Sequence, residues 1–215
     1  MTDSSSSSTR PVSLRSPWRW LALGWADLRR NPVPGLVHGL LITAFGAFLL
    51  WIARDRFWLL AGAFSGFLIV APILATGLYE VSRASEQGRR IGMAEVLGLW
   101  RSGDGRLVRF GLLLALAGTG WVLTSASLVT GWAAAPVNTP LDFLRVVVLN
   151  DDSPLFQIWL AMGAILAAPV FASSVVAIPL LLDRQVSVLA AVLTSWRVVQ
   201  AHPAAMALWA ALLMG

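Results

Sequence analysis

Residues Phe57 to Tyr79 form an apolar run relieved only by Gly, Ser, Thr and one Pro, and the run stops abruptly at Glu80-Val81-Ser82-Arg83. As a helix these residues, at about 1.5 Å each, reach about 35 Å, enough to cross the hydrocarbon core of a bilayer with some tilt. A chain holding such a stretch folds in a membrane. The charged stop marks one boundary, from which the remaining spans are laid out.

Composition agrees. Hydrophobic residues make up 57% of the 215 residues and charged residues only 13%, half the charge of an ordinary soluble domain, where about 25% is usual. There are eleven Trp and one Tyr, and Trp favours the membrane–water interface. Cysteine is absent, which excludes disulfides, thiolate catalysis and cysteine metal sites. All sixteen basic residues are Arg, and the formal net charge is +5.

In chain order, residues 1–15 read as a disordered Ser-rich tail, with no apolar core and cleavage site to suggest a signal peptide. Residues 16–215 read as a single membrane domain. Ser16-Pro17 looks like an N-cap followed by proline at the first helical position. Trp18, Leu21, Trp25 and Leu28 then share one face of an amphipathic helix over 17–30, too short and too charged to span. Asn31-Pro32 ends it, and Pro34 stiffens the corner. Spans are expected at about 36–53, 57–79, 110–133 and 155–182. Arg54-Asp55-Arg56 is a tight turn that makes the first two a hairpin. Two further interfacial helices are expected at about 92–100, with Met93, Val96, Leu97 and Trp100 on one face, and about 187–200, with Val188, Val192, Trp196 and Val199. Between Pro136 and Asp152 lies a polar loop. The fourth span is long for one crossing, so tilt or a kink at Pro169 is expected, with Pro179 disturbing its last turn. Residues 203–215 begin a fifth span and stop inside it, so the chain is expected to be truncated. Gly35-x-x-x-Gly39 and Gly62-x-x-x-Gly66 offer close-packing surfaces or reflect the ordinary glycine content of membrane helices.

With the N-terminus cytoplasmic, only Arg54, Arg56 and Arg145 of the sixteen arginines fall on the outer side. This is a strong positive-inside bias. The basic charge then signals topology and attraction to anionic head groups at the cytoplasmic face. It is not a nucleic-acid footprint, which needs basic and aromatic residues on a soluble fold. The expected setting is a bacterial inner membrane crossed several times.

A unit recurs. Trp25 precedes Pro32 and a span by seven residues, Trp196 stands the same distance from Pro203 and an apolar run, and Trp100 precedes the third span without the proline. The unit of interfacial helix, polar corner and helical hairpin thus occurs three times, the third incomplete. The alternative is that a Trp before a span is ordinary.

Charge is missing from the middle of the four spans. Their polar content is hydroxyls, including Thr43, Ser65, Thr119, Thr124, Ser125, Ser173 and Ser174, which commonly bond their own backbone or a neighbouring helix. Ion-coupled transport needs ionisable groups in the membrane, so it is disfavoured. His38 and His202 are the only histidines, each near the start of a span, and a metal pair between them would need further ligands. Catalytic motifs are absent. The chain is read as not an enzyme, and no catalytic residue, cofactor or metal ligand is assigned. One candidate site remains, a charge cluster at the cytoplasmic boundary formed by Asp27, Glu80, Arg83, Asp183 and Arg184, either a set of boundary-fixing ion pairs or a binding site.

The strings Gly24-Trp25-Ala26-Asp27-Leu28 with Asn31-Pro32, Gly77-Leu78-Tyr79-Glu80-Val81-Ser82-Arg83 within Pro72–Arg83, and Pro179-Leu180-Leu181-Leu182-Asp183-Arg184 resemble a bacterial family of predicted integral membrane proteins of unknown function. Some of its members carry a cytochrome c oxidase subunit I label. The resemblance runs from about Trp18 to the end of the chain, and it implies a sixth span beyond residue 215. It brings no activity or catalytic residue. The oxidase label fails a physical test, because haem and copper ligation needs several intramembrane histidines, and the two histidines here lie at the membrane edge.

The fold expected is all-α and polytopic. The leading functional expectation is a non-enzymatic scaffold, assembly or membrane-organising protein that works beside a membrane-protein partner and the anionic lipid surface. The alternative is a small-solute or lipid transporter, with a cavity at the repeat interface lined by Thr119, Ser125, Ser173 or Ser174.

Overall fold

The computed structural model describes residues 12–52, 67, 74, 76–101 and 104–214. The Arg54–Arg56 turn, the Gly62/Gly66 pair and most of the 57–79 span lie outside them. Among the described residues the fold is all-α. Its helices are α1 (Ser16–Arg30), α2 (Pro32–Ile52), α3 (76–86), α4 (Met93–Arg101), α5 (Gly105–Trp132), α6 (Pro140–Phe143), α7 (Leu155–Ser174), α8 (Ala177–Asp183), α9 (Val188–Ala201) and α10 (Pro203–Met214). Among the described residues, three stretches are long and apolar enough to cross a membrane: Pro32–Trp51, Gly105–Trp132 and Leu155–Asp183.

The short amphipathic helices close the arrangement. α4 packs on α2, α1 on both α2 and α10, and α9 chiefly on α7 and α8 with a smaller contact to α5. α4 and α9 thus each touch the first long helix of the preceding unit, and α1 touches the apolar helix of the third. An edge-to-face contact between Trp20 and Trp209, with ring centroids 5.3 Å apart, joins α1 to α10. On α1 the Trp18/Leu21/Trp25 side stays exposed, as an apolar stripe facing lipid would, and Arg29 sits 5.5 Å over the Trp25 ring.

Several expectations are corrected. Ser16 is not the cap. It stands inside α1, whose cap position is Arg15, and its hydroxyl accepts the Ser13 N–H instead. Pro32 and Pro34 are not a corner between helices but the first turn of α2, where a missing N–H costs no helical bond. Gly35 does serve a close approach, but toward α1: a Cβ there would lie 2.5 Å from Leu28 Cδ1, while Gly39 faces open space. The 136–152 loop is partly helical. Thr139 caps α6 in a reciprocal capping box with Asp142, and a π-helical turn, Leu144–Val148, follows.

The fourth span is disturbed at Pro179, as expected, and not kinked at Pro169. α7 runs through Pro169 uninterrupted, and the helix breaks at Val175–Val176, four residues before Pro179. A proline removes one backbone donor and crowds the carbonyl four residues earlier, here that of Val175. The break also frees the Val176 N–H, which donates to the buried Ser195 hydroxyl at 3.1 Å. A waiting acceptor on α9 lets the helix open at Pro179.

Two apolar cores hold the second hairpin. Leu107, Phe110 and Leu114 of α5 meet Ala177, Leu181 and Ala191 at one end. Val129, Val137, Val147 and Leu155 pack at the other. Packed on the second core, Trp159 lies against Trp121 and Phe143 and donates its indole N–H to Ser125 Oγ at 2.6 Å. The Trp196 indole donates likewise to Ser173 Oγ at 2.9 Å.

Candidate functional site

The polar side chains gather where the hairpins end. In the first unit three residues at the end of α1 reach α3 and the segment after it. Ser82 Oγ donates to Asp27 Oδ2 at 2.6 Å, Arg30 Nη1 donates to the Ser85 carbonyl at 2.7 Å, and the Ile91 N–H donates to Asn31 Oδ1 at 3.3 Å. α3 itself ends at a turn in which Gly88 takes a φ of 72°, a left-handed conformation suited to glycine.

The second unit repeats the device with different chemistry. Asp104 caps α5 by accepting the Arg106 N–H at 2.8 Å, and its carboxylate also pairs with the Arg106 guanidinium at 2.6 Å. The guanidinium further donates to the carbonyls of Leu181, Arg184 and Val186, at 3.1, 2.8 and 3.0 Å. It thereby satisfies carbonyls left over at the end of α8 and in the link to α9. The hydrogen bond with Arg106 holds the Asp104 carboxyl below the usual range.

Asn31 and Arg106 occupy one register, each six residues after the Trp of its unit, and each bonds the residue two before the next amphipathic helix: Ile91 before α4 and Val186 before α9. Sequence reasoning found the Trp spacing but missed these two clamps. Reading six residues on from each Trp finds them, together with His202 in the third unit.

The boundary charges form a chain of ion pairs. Glu95 pairs with Arg89 at 2.6 Å, Arg89 with Glu80 at 3.4 Å, Glu80 with Arg83 at 3.5 Å, and Arg83 with Asp183 at 2.9 Å; Arg184 stands 3.9 Å from Asp183. Hydrogen bonding from Arg89 lowers the Glu95 pKa. The structure thus brings Glu80, Arg83, Asp183 and Arg184 together. Asp27 is not among them: its carboxylate is taken by Ser82, whose neighbour Arg83 turns to α8. Arg83–Asp183 is the pair that joins the first hairpin to the second. Beside it a groove of 380 Å³ opens between α3 and α8, lined by Tyr79, Ser82 and Glu86 on one wall and Val176, Pro179 and Leu182 on the other.

His38 is buried, its Nδ1–H donating to the Pro34 carbonyl at 2.7 Å, and its ring lies against Gly77. Among the described residues, no three His, Asp or Glu side chains are grouped so as to hold a metal ion.

No curated protein and no solved structure matches the chain. A family model described as predicted integral membrane protein (DUF2189) matches residues 59–183. That stretch is more than half of the chain, and it takes in the α3 end, the Arg106 clamp and the whole second hairpin. The chain belongs to the DUF2189 family of predicted integral membrane proteins.

Proposed function

We propose that the protein is a non-enzymatic membrane scaffold, an assembly or membrane-organising protein of the bacterial inner membrane, with its N-terminus and arginine-rich face in the cytoplasm. One observation carries this reading: three serines of the described helices, Ser125, Ser173 and Ser195, are engaged in joining neighbouring helices. Ser125 and Ser173 accept indole N–H groups, and Ser195 of α9 takes the donor freed at the α7–α8 break. Thr124, Ser127, Thr130 and Ser174 donate to carbonyls of their own helices. A solute path needs polar atoms turned toward it, and Ser125, Ser173 and Ser195 are turned into helix–helix contacts instead. The groove between α3 and α8 is lined by other residues. Photo-crosslinking residues placed at Arg90 and Leu97 in native membranes test the reading. Reproducible adducts with the same membrane protein from both positions are expected, and recovery of none overturns it.

The groove between α3 and α8 favours a second reading, transport of a small solute or lipid, because it lies between the hairpins with Arg83 and Asp183 at its side. Flux into proteoliposomes that disappears in Arg83→Ala would support it; absence of flux across a solute and lipid panel would end it.

A further inference from the structure

A second groove, of 730 Å³, runs where α5 meets the link into α9. Its walls are apolar, formed by Leu112 and Leu113 on one side and Leu189 and Val192 on the other. Leu112, Leu113 and Leu189 are all more than half exposed. Its polar end carries Arg106 and Arg109.

These two cations differ. Arg106 is occupied by Asp104 and three carbonyls. Arg109 is exposed and makes no hydrogen bond or ion pair among the described residues. Its register matters as well. Arg109 precedes Leu112 and Leu113 by three and four residues, so all three lie on one helix face with the cation one turn, about 5.4 Å, from the leucines. An uncompensated guanidinium at one end and an open apolar trough at the other match an anionic phospholipid. The phosphate meets the guanidinium in a charge-assisted, bidentate contact, and an acyl chain fills the trough.

We propose that this groove is a binding site for one anionic phospholipid, with Arg109 as its head-group anchor and Leu112, Leu113, Leu189 and Val192 as its acyl wall. The proposal sharpens the reading of the arginine-rich face as lying on an anionic surface, and it rests on that reading. A cation near an anionic surface strengthens attachment by roughly fivefold, and a seated phosphate makes the effect specific to one arginine.

Native mass spectrometry of the full chain, purified from vesicles of phosphatidylglycerol and phosphatidylcholine in equal parts, tests it. Retained phosphatidylglycerol adducts are expected to exceed phosphatidylcholine adducts. Arg109→Gln should lower the phosphatidylglycerol adducts about fivefold, and Leu113→Trp, which fills the trough, should lower adducts of both lipids. Arg19→Gln, an exposed arginine on α1, should change nothing. Equal losses from Arg109→Gln and Arg19→Gln would overturn the site while leaving a diffuse basic surface. No preference for phosphatidylglycerol in the unaltered chain would overturn both. Adducts that survive Leu113→Trp unchanged would place the lipid elsewhere and overturn the site.

Discussion

The Ser195 hydroxyl lies fully buried 3.1 Å from the Val176 backbone nitrogen, at the point where the helix ahead of Pro179 opens. A donor freed by a proline finds its acceptor on another helix, so the bend between α7 and α8 and the docking of α9 are a single feature. Ser195→Ala leaves that N–H without a partner and should destabilise the protein by about 1–3 kcal/mol. Thermal unfolding in detergent checks the magnitude. Hydrogen exchange checks the site, because Val176 should lose protection before α7 does.

Removing the Arg106 side chain takes away the bonds to Leu181, Arg184 and Val186 together with the pair to Asp104. Arg106→Ala should cost about 1–3 kcal/mol. Arg106→Lys should rescue only part of this, since an ammonium lacks the planar fork that spans several acceptors. Limited proteolysis reads the effect, with faster cleavage expected near Arg184 in both variants.

Arg83 and Asp183 are both well exposed. An exposed pair contributes about 0.2–1 kcal/mol. A double-mutant cycle on Arg83→Ala and Asp183→Ala should therefore return a coupling in that range, and it should shrink in high salt. A larger, salt-insensitive coupling would mean that the two hairpins depend on this contact far more than its exposure allows.

Gly77 and Gly39 separate a packed glycine from an idle one. A Cβ on Gly77 would come within 2.6 Å of Val96 Cγ1 and 2.8 Å of His38 Nε2, whereas one on Gly39 meets nothing. Gly77→Ala should destabilise by about 1–3 kcal/mol through overpacking. Gly39→Ala should be neutral or mildly stabilising, because alanine is the better helix former by about 1 kcal/mol. Unfolding midpoints of the two variants decide it.

Acid should loosen the turn between α5 and α7. The Thr139 hydroxyl and the backbone N–H groups of Asn138 and Thr139 hold the Asp142 carboxyl below its ordinary value of 3.8. A depressed folded pKa contributes stability that is present above the unfolded value and is lost as pH falls through the folded one. The turn should hold above about pH 4 and weaken below it. Trp159, which packs on Phe143 just after the cap, reports the change by fluorescence. Asp142→Asn should abolish the pH dependence.

The class of fold was legible in the sequence because membrane spanning is a one-dimensional property. Apolar runs must be long enough to cross, and arginines must lie outside them; both can be counted along the chain. The spacing of Trp25, Trp100 and Trp196 can be counted in the same way. The candidate cluster was legible only in part. Sequence placed Asp27, Glu80, Arg83, Asp183 and Arg184 near one boundary. Whether each carboxylate faces a guanidinium or a hydroxyl depends on helix rotation and on which helices are neighbours, and Asp27 went to Ser82. Tertiary structure alone chose Pro179 over Pro169 as the place where the fourth span opens. The two prolines carry the same local penalty, and the outcome turned on Ser195, sixteen residues further on, standing beside one break and supplying its missing partner.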